Sequence, residues 1–107
     1  MKTIEHYRDS TGWIPFQTWF QTLRDKVAKA SIARRLDRLA IGNPGDHKAV
    51  REGVSELRID VGSGYRVYYA EQGERLVILL CGGDKSTQRK DIELALEYWA
   101  DWKRRRK

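Results

Sequence analysis

Three cationic side chains, Arg58, Arg66 and Lys85, stand where a β-sheet would direct them away from its core. Arg58 and Arg66 alternate with apolar residues on two neighbouring segments, and Lys85 follows an apolar run. Metal-free cleavage of RNA needs few parts: a group that takes the ribose 2′-OH proton, fixed cations that hold the phosphorane charge, and a group that protonates the departing oxygen. The spacing therefore predicts a site for an anionic ligand, and we predict that this ligand is RNA.

Arginine suits the task of holding charge, because its planar guanidinium binds phosphate through two hydrogen bonds and keeps its proton. Lysine suits proton transfer here, because repulsion from two guanidinium groups would favour the neutral amine of Lys85. Spacing alone favours the alternative that Arg58, Arg66 and Lys85 are solvated charges of a sheet face. Asp84 or Asp91 would orient Lys85 or, as the sequence favours, cap the last helix.

The elements that position these residues follow from the apolar pattern. Apolar residues recur at helical spacing over residues 16–23 and 27–40, with Val27 facing inward and Arg35 outward. The period then changes to two, and a wholly apolar strand over residues 76–81 should be covered on both faces. The order β-α-α-β-β-β-α predicts an α+β fold: a small, twisted, mostly antiparallel sheet with an N-terminal helical hairpin and a C-terminal helix.

The composition is typical of one folded domain. The chain has 107 residues, 40% of them hydrophobic, and a net charge of +6, of which residues 103–107 supply five charges. We predict a single domain over residues 1–102 and a basic tail over residues 103–107. The tail is either a frayed, solubilising end or a segment attracted to phosphate backbones.

Several classes of protein and site are not indicated. The sequence has no apolar run long enough for a membrane span and no signal-peptide pattern, so we expect a cytoplasmic protein. Cys81 lies in the apolar strand and is expected to be a buried hydrophobic residue. His6 and His47 are far apart in the sequence, so we expect no metal site and no cofactor.

Beside these patterns, the sequence resembles a known family over most of its length. The residues that carry the resemblance are Gly42-Asn43, Gly45-Asp46, Lys48, Gly53-Val54, Glu56-Leu57-Arg58, Gly64-Tyr65-Arg66-Val67-Tyr68-Tyr69, Leu79-Leu80-Cys81-Gly82-Gly83-Asp84-Lys85, Gln88 and Asp91-Ile92. The chain looks like the phage Gp49-like, HigB-type killer proteins of the RelE/ParE toxin superfamily. The segment Gly-Gly-Asp-Lys-Ser-Thr-Gln after an apolar strand is the most specific part.

The resemblance implies a bacterial toxin that is encoded beside its antitoxin, which would be a helix-turn-helix protein. It implies cleavage of mRNA in the ribosome without a metal ion, with Arg66 stabilising the scissile phosphate, Arg58 positioning it and Lys85 transferring a proton. Lys48 and Arg51 would guide RNA phosphates. The superfamily also includes gyrase inhibitors of the ParE kind, which bind and cut nothing, so non-catalytic inhibition of DNA gyrase is an alternative. A phage nucleic-acid-binding protein without toxicity is a third.

Two features of the last helix bear on this resemblance. Lys90 and Asp91 stand where RelE-like enzymes carry a tyrosine, so the general acid and base are not assigned by the resemblance. Its apolar residues span more than one stripe, which predicts a surface for an antitoxin helix, with the basic sheet face as the other candidate. Alternatively, the tryptophans only close the core. The residues concerned are Leu94, Leu96, Tyr98, Trp99 and Trp102.

Overall fold

A computed structural model describes residues 1–106, which form five strands, three α-helices and one 3₁₀ turn. The predicted α+β class is confirmed. In chain order the elements are β1 (Thr3–His6), α1 (Pro15–Thr22), α2 (Lys26–Ala40), β2 (His47–Arg51), β3 (Val54–Ile59), β4 (Tyr65–Gln72), β5 (Leu76–Asp84), the 3₁₀ turn (Lys85–Thr87) and α3 (Gln88–Arg105).

The strands form one sheet in the order β1-β5-β4-β3-β2. β1 runs parallel to β5, and the other neighbouring strands are antiparallel. β5 therefore lies inside the sheet, and Val77 to Leu80 are at most 1% exposed. This confirms that the apolar strand is covered on both faces. Cys81 is buried as expected, and burial raises the pKa of its thiol.

A helical layer covers each face of the sheet. α1 and α2 pack on one face around Phe16, Ile32 and Leu57. α3 packs on the other, where Ala95 and Trp99 contact the sheet. The face covered by α3, which we call the α3 face, also carries Arg58 and Arg66, because these residues alternate with core residues of the first face.

The two N-terminal helices begin where their first-turn residues indicate. Pro15 occupies the first turn of α1, where a missing N–H costs nothing. Asp25 caps α2 by accepting a hydrogen bond from the Ala28 N–H at 3.0 Å. Ala28 lies four residues before the buried Ile32 and on the same face of α2, so Ala28 is buried and Val27 is 66% exposed. The expectation that Val27 faces inward is wrong.

The predicted order omitted one strand, β2 at the sheet edge. Four of its five residues are exposed, so the sequence lacks the alternation that marks a half-buried strand. A bulge between Ala49 and Arg51 further disturbs the pattern. Its register places Lys48 opposite Glu56 on the α3 face.

The tryptophans of α3 close the core, which is the second of the two interpretations. Trp99 and Trp102 are 5% and 7% exposed, and Tyr98 stacks on Tyr7 with ring centroids 4.8 Å apart. Residues 103–105 continue the helix, whereas Lys107 of the predicted basic tail lies outside the described residues. No helix within residues 1–106 has the length and apolar composition needed to cross a membrane.

Candidate functional site

The structure brings the three predicted catalytic side chains together. Arg58 on β3 is the direct cross-strand partner of Arg66 on β4, so both project from the α3 face side by side. Lys85 begins the 3₁₀ turn that follows β5. The three line an open depression of about 190 Å³, together with Asp46 and Asp60. Their chemical roles remain a prediction, but their proximity is a property of the fold.

The Gly-Tyr-Arg segment and the Gly-Gly-Asp-Lys segment are joined by direct packing. The methylene chain of Lys85 lies over Gly64, where an added Cβ would be 2.7 Å from Lys85 Cε. Gly64 also has a φ of +85°, which glycine adopts without strain. Glycine at this position therefore lets Lys85 lie across β4 and reach the depression beside Arg66.

Two glycines at the end of β5 allow helices to approach both faces of the sheet. An added Cβ on Gly82 would lie 2.3 Å from the Trp19 ring of α1. An added Cβ on Gly83 would lie 1.8 Å from Asp91 Oδ2 of α3. Real side chains cannot occupy these positions without displacing the helices. The most specific segment of the sequence is thus the point where α1, β5 and α3 meet.

Carboxylates accompany both arginines of the depression, which the sequence reasoning missed. Asp46 Oδ1 accepts hydrogen bonds from Arg58 Nη2 at 3.0 Å and from Arg58 Nε at 3.2 Å. Glu56 Oε2 lies 3.5 Å from Arg66 Nε, with the side chains 4% and 12% exposed. The α3 face is therefore not an unopposed row of outward charge. Alternation along β3 could have found Glu56, because it shares a face with Arg58.

Glu56 also accepts a hydrogen bond from α3 and has a buried tyrosine as its cross-strand neighbour. Gln88 at the start of α3 donates to Glu56 Oε2 at 3.0 Å, which ties the helix to β3. Tyr68, the cross-strand partner of Glu56, has a fully buried side chain. Burial, followed by the negative charge of Glu56, raises the pKa of Tyr68, so its hydroxyl stays protonated beside the carboxylate. Within the described residues the buried Arg66 Nε has no hydrogen-bond partner, and Glu56 Oε2 lies 3.5 Å from it as an ion-pair partner.

Comparison with known proteins places this chain in a family. Residues 18–99 match the family described as "Phage derived protein Gp49-like (DUF891)". The chain belongs to the Gp49-like family. This family is associated with toxin–antitoxin systems. An uncharacterized protein of Haemophilus influenzae is similar, with 56% identity over 82 residues, which are 77% of this chain and 83% of that protein.

In this Gp49-like chain a half-buried arginine on α2, Arg35, holds the rim of the depression. Arg35 donates to the carbonyl of Arg58 at 2.6 Å and to the carbonyls of Pro44 and Asp46 at 2.8 Å each. The expectation that Arg35 faces outward is wrong, because three main-chain carbonyls converge on its guanidinium. Burial lowers its pKa. The side chain links α2 to the loop that presents Asp46 to Arg58.

The two predicted RNA-guiding residues lie on the same face as the depression. Lys48 is exposed and is paired in register with the buried Glu56. Arg51 is paired with Val54 and lines a cleft of about 630 Å³ between β2 and the start of α3. Arg89 lines the same cleft and adds a cation that the sequence reasoning did not select. The cations thus continue from the depression toward the edge of the sheet.

The two aspartates that were candidates for orienting Lys85 have other partners. Asp84 Oδ1 accepts from the Ser86 N–H at 2.8 Å and from the Ser86 hydroxyl at 2.5 Å, and it caps the 3₁₀ turn. These hydrogen bonds lower the pKa of Asp84. Asp91 Oδ2 accepts from the Thr87 hydroxyl at 2.5 Å, and burial raises its pKa. A role for either in orienting Lys85 stays a prediction.

Proposed function

We propose that this protein is the toxin of a type II toxin–antitoxin system, related to HigB-type toxins of the RelE/ParE superfamily, and that it cleaves mRNA in the ribosome without a metal ion. The observation that carries the proposal is the convergence of Arg58, Arg66 and Lys85 on one depression from three separate segments. The proposed target, mRNA in the ribosome, is cytoplasmic. The association of the family with toxin–antitoxin systems supports the assignment of this protein as a toxin.

The proposed reaction is an intramolecular phosphoryl transfer. The ribose 2′-oxygen attacks the adjacent phosphorus, a 2′,3′-cyclic phosphate forms, and the bond to the 5′-oxygen breaks. The 2′-OH proton is removed, and a proton is given to the departing 5′-oxygen. Lys85, exposed at the rim, is the candidate for one of these transfers. No other group in the depression is assigned to the second transfer.

The two arginines are suited to stabilise charge on the phosphorane. Glu56 faces Arg66 at Nε and Asp46 binds Arg58 at Nε and Nη2, so each guanidinium is oriented before a ligand arrives. Donors that are already oriented stabilise developing charge without reorganisation during the reaction. In this proposal Arg66 contacts the scissile phosphate, Arg58 positions it, and Lys48 and Arg51 bind neighbouring phosphates.

The proposed partner is an antitoxin encoded beside the toxin. An acidic antitoxin segment over the depression would neutralise Arg58, Arg66 and Lys85 and exclude RNA from them. A small helix-turn-helix protein in the adjacent reading frame would support this pairing, and co-purification of the two proteins would test it. An unrelated neighbour would count against the pairing.

One observation favours a second candidate, the non-catalytic inhibition of DNA gyrase. Arg58 and Arg66 both already face carboxylates, which lowers the attraction of the depression for phosphate. A surface of paired charges also suits recognition of another protein. An inhibitor of this kind would arrest growth with intact mRNA and with breaks in the DNA.

The decisive experiment is mapping of mRNA 5′ ends after adding the purified protein to translating ribosomes. New ends are expected with the natural sequence, and Arg66→Ala should lower the cleavage rate by about 10² to 10³, the usual effect of losing one charge-stabilising donor. Arg75→Ala is the matched control, because Arg75 is an exposed arginine in the turn between β4 and β5. Intact message, or full cleavage by Arg66→Ala, would refute the proposal.

A further inference from the structure

The last turn of α3 forms a second cationic surface together with the segment after β1. We define this C-terminal basic surface as Arg8, Lys103, Arg104, Arg105 and Arg106. Three of its residues complete α3, and the Arg106 N–H donates to the Trp102 carbonyl at 3.2 Å. The surface is thus part of the folded domain.

Hydrogen bonds hold the cations of this surface in place. Asp101 accepts from Arg104 Nη2 at 2.9 Å and from Arg105 Nε at 3.0 Å, and it also accepts from the Tyr7 hydroxyl at 2.7 Å. Arg105 donates in addition to the carbonyl of Arg8. The end of the helix is therefore fastened to the segment that follows β1.

Aromatic rings hold two further cations. Lys103 Nζ lies 5.1 Å from the Trp99 ring centroid, and Arg106 Cζ lies 4.6 Å from the Trp102 ring centroid. The two indoles stack 5.3 Å apart, and Trp102 Nε1 donates to Glu5 at 3.1 Å. Cations that are ordered in advance lose less side-chain entropy when a ligand binds.

The shape and charge of the surface fit a phosphate backbone. Arg8, Arg105 and Arg106 line an open cavity of about 480 Å³ with Trp102 on its wall. The surface carries five positive charges; Asp101 pairs with Arg104 and Arg105, and Glu5 accepts a hydrogen bond from Trp102 on the cavity wall. Because Trp99 and Trp102 are buried, they offer no apolar side chain for insertion into a membrane.

The position of the surface separates it from the depression. Gln88 at the start of α3 bonds to Glu56 beside the depression, and the helix has 18 residues. At about 1.5 Å per residue the C-terminal basic surface lies about 25 Å farther along the helix. A ligand at the C-terminal basic surface therefore need not be the strand that enters the depression.

We propose that the C-terminal basic surface binds backbone phosphates of base-paired, structured RNA, while the depression acts on a separate single-stranded segment. Only the second clause rests on the proposed function. Base-paired RNA fits the surface because a rigid array of cations matches a rigid array of phosphates. Because the deep, narrow major groove of A-form RNA keeps side chains away from the base edges, phosphate contacts at this surface should be independent of RNA sequence.

The test measures binding of a short synthetic RNA duplex as a function of salt concentration. The double variant Arg8→Ala/Arg106→Ala removes two cations but keeps the main-chain carbonyl of residue 8, to which Arg105 donates. The double variant should lower the slope of log affinity against log salt by about 1.4 to 1.8, because each lost phosphate contact contributes about 0.7 to 0.9. Arg24→Ala/Arg38→Ala, which removes two exposed arginines elsewhere, should retain the slope of the natural sequence.

Two further arms keep the result decisive. If the double variant does not fold, as judged by its urea midpoint, the single variant Arg106→Glu replaces it and should lose duplex affinity by a larger factor than Arg106→Gln. Unchanged duplex binding would overturn the proposal. The proposal would also fail if the double variant lost binding only to vesicles containing phosphatidylserine, because the partner would then be a membrane. It would fail too if the double variant lost as much binding to poly-glutamate as to the duplex, because the partner would then be an acidic protein.

This binding result is distinguishable from a failure of the proposed function. If the natural protein leaves mRNA intact but the double variant loses duplex binding, the C-terminal basic surface is confirmed and the cleavage assignment is wrong. If mRNA is cleaved but duplex binding is unaffected by the double variant, the cleavage assignment holds and the second surface is wrong.

Discussion

Replacing Arg35 with methionine should destabilise the fold, because this side chain of α2 is hydrogen-bonded to β3 and to the loop before β2. Its guanidinium binds the carbonyls of Arg58, Pro44 and Asp46 at 2.6 to 2.8 Å. Methionine keeps an unbranched apolar side chain as far as the position of Arg35 Nε and donates no hydrogen bonds. The change therefore removes the bonds while leaving most of the apolar packing in place.

The expected loss is about 2 to 4 kcal/mol in the free energy of unfolding. A hydrogen bond to a charged group contributes about 1.5 to 3 kcal/mol, and two of the three are partly buried. The third lies at an exposed carbonyl, where water replaces the donor. Relief of the desolvated Arg35 charge offsets part of the loss, in keeping with the lowered pKa of this group. Arg35→Lys should recover less than half, because one ammonium cannot reach three carbonyls.

Urea unfolding followed by circular dichroism measures this loss, with Arg34→Met as the control. Arg34 is the neighbouring exposed arginine, and its hydrogen bond is to the Ser31 hydroxyl on its own helix, so its replacement should cost under about 1 kcal/mol. Equal effects of Arg34→Met and Arg35→Met would refute the reasoning. So would a stable Arg35→Met, because the three carbonyls would then not depend on the guanidinium.

Two other substitutions test packing and protonation. Gly83→Ala should lower the free energy of unfolding by about 1 to 3 kcal/mol, since its Cβ would meet the Asp91 carboxylate, and adding Asp91→Ala should restore part of the loss in the same urea assay. Burial and Arg8 lower the pKa of His6 below 6.5, so the folded state binds fewer protons than the unfolded chain. The contribution of neutral His6 to the free energy of unfolding is therefore complete above about pH 6.5 and decreases as the pH falls. In urea unfolding between about pH 7 and 5.5, His6→Gln should remove this decrease, whereas the control His47→Gln should retain it.

The sequence predicted the fold where burial imposes a periodic pattern. The apolar run of β5 and the stripe of α1 follow from the faces that they bury, and both were identified. β2 was missed because an exposed edge strand buries too little to need alternation. The inward position of Val27 was wrong by one residue, because Ala28, not Val27, lies four residues before the buried Ile32 and shares its face.

The candidate site was predictable to the extent that strand alternation determines it. Arg58 and Arg66 had to share a face of neighbouring strands, and the end of β5 had to deliver Lys85 nearby. The carboxylate of Asp46 was not predictable in the same way, since it comes from a loop whose path depends on Arg35. Ion pairs between distant segments follow from tertiary packing, which a single sequence does not display.

The carboxylates give the two cationic regions different physical properties. In the depression, Asp46 and Glu56 orient the arginines and reduce the net charge, so attraction to phosphate is weak but direction is fixed. At the C-terminal basic surface, positive charge is in excess over the bonded carboxylates. Binding energy from a remote surface can hold a substrate while oriented donors act only on the transition state. The proposed enzyme would therefore obtain affinity at the end of α3 and catalysis about 25 Å away at its beginning.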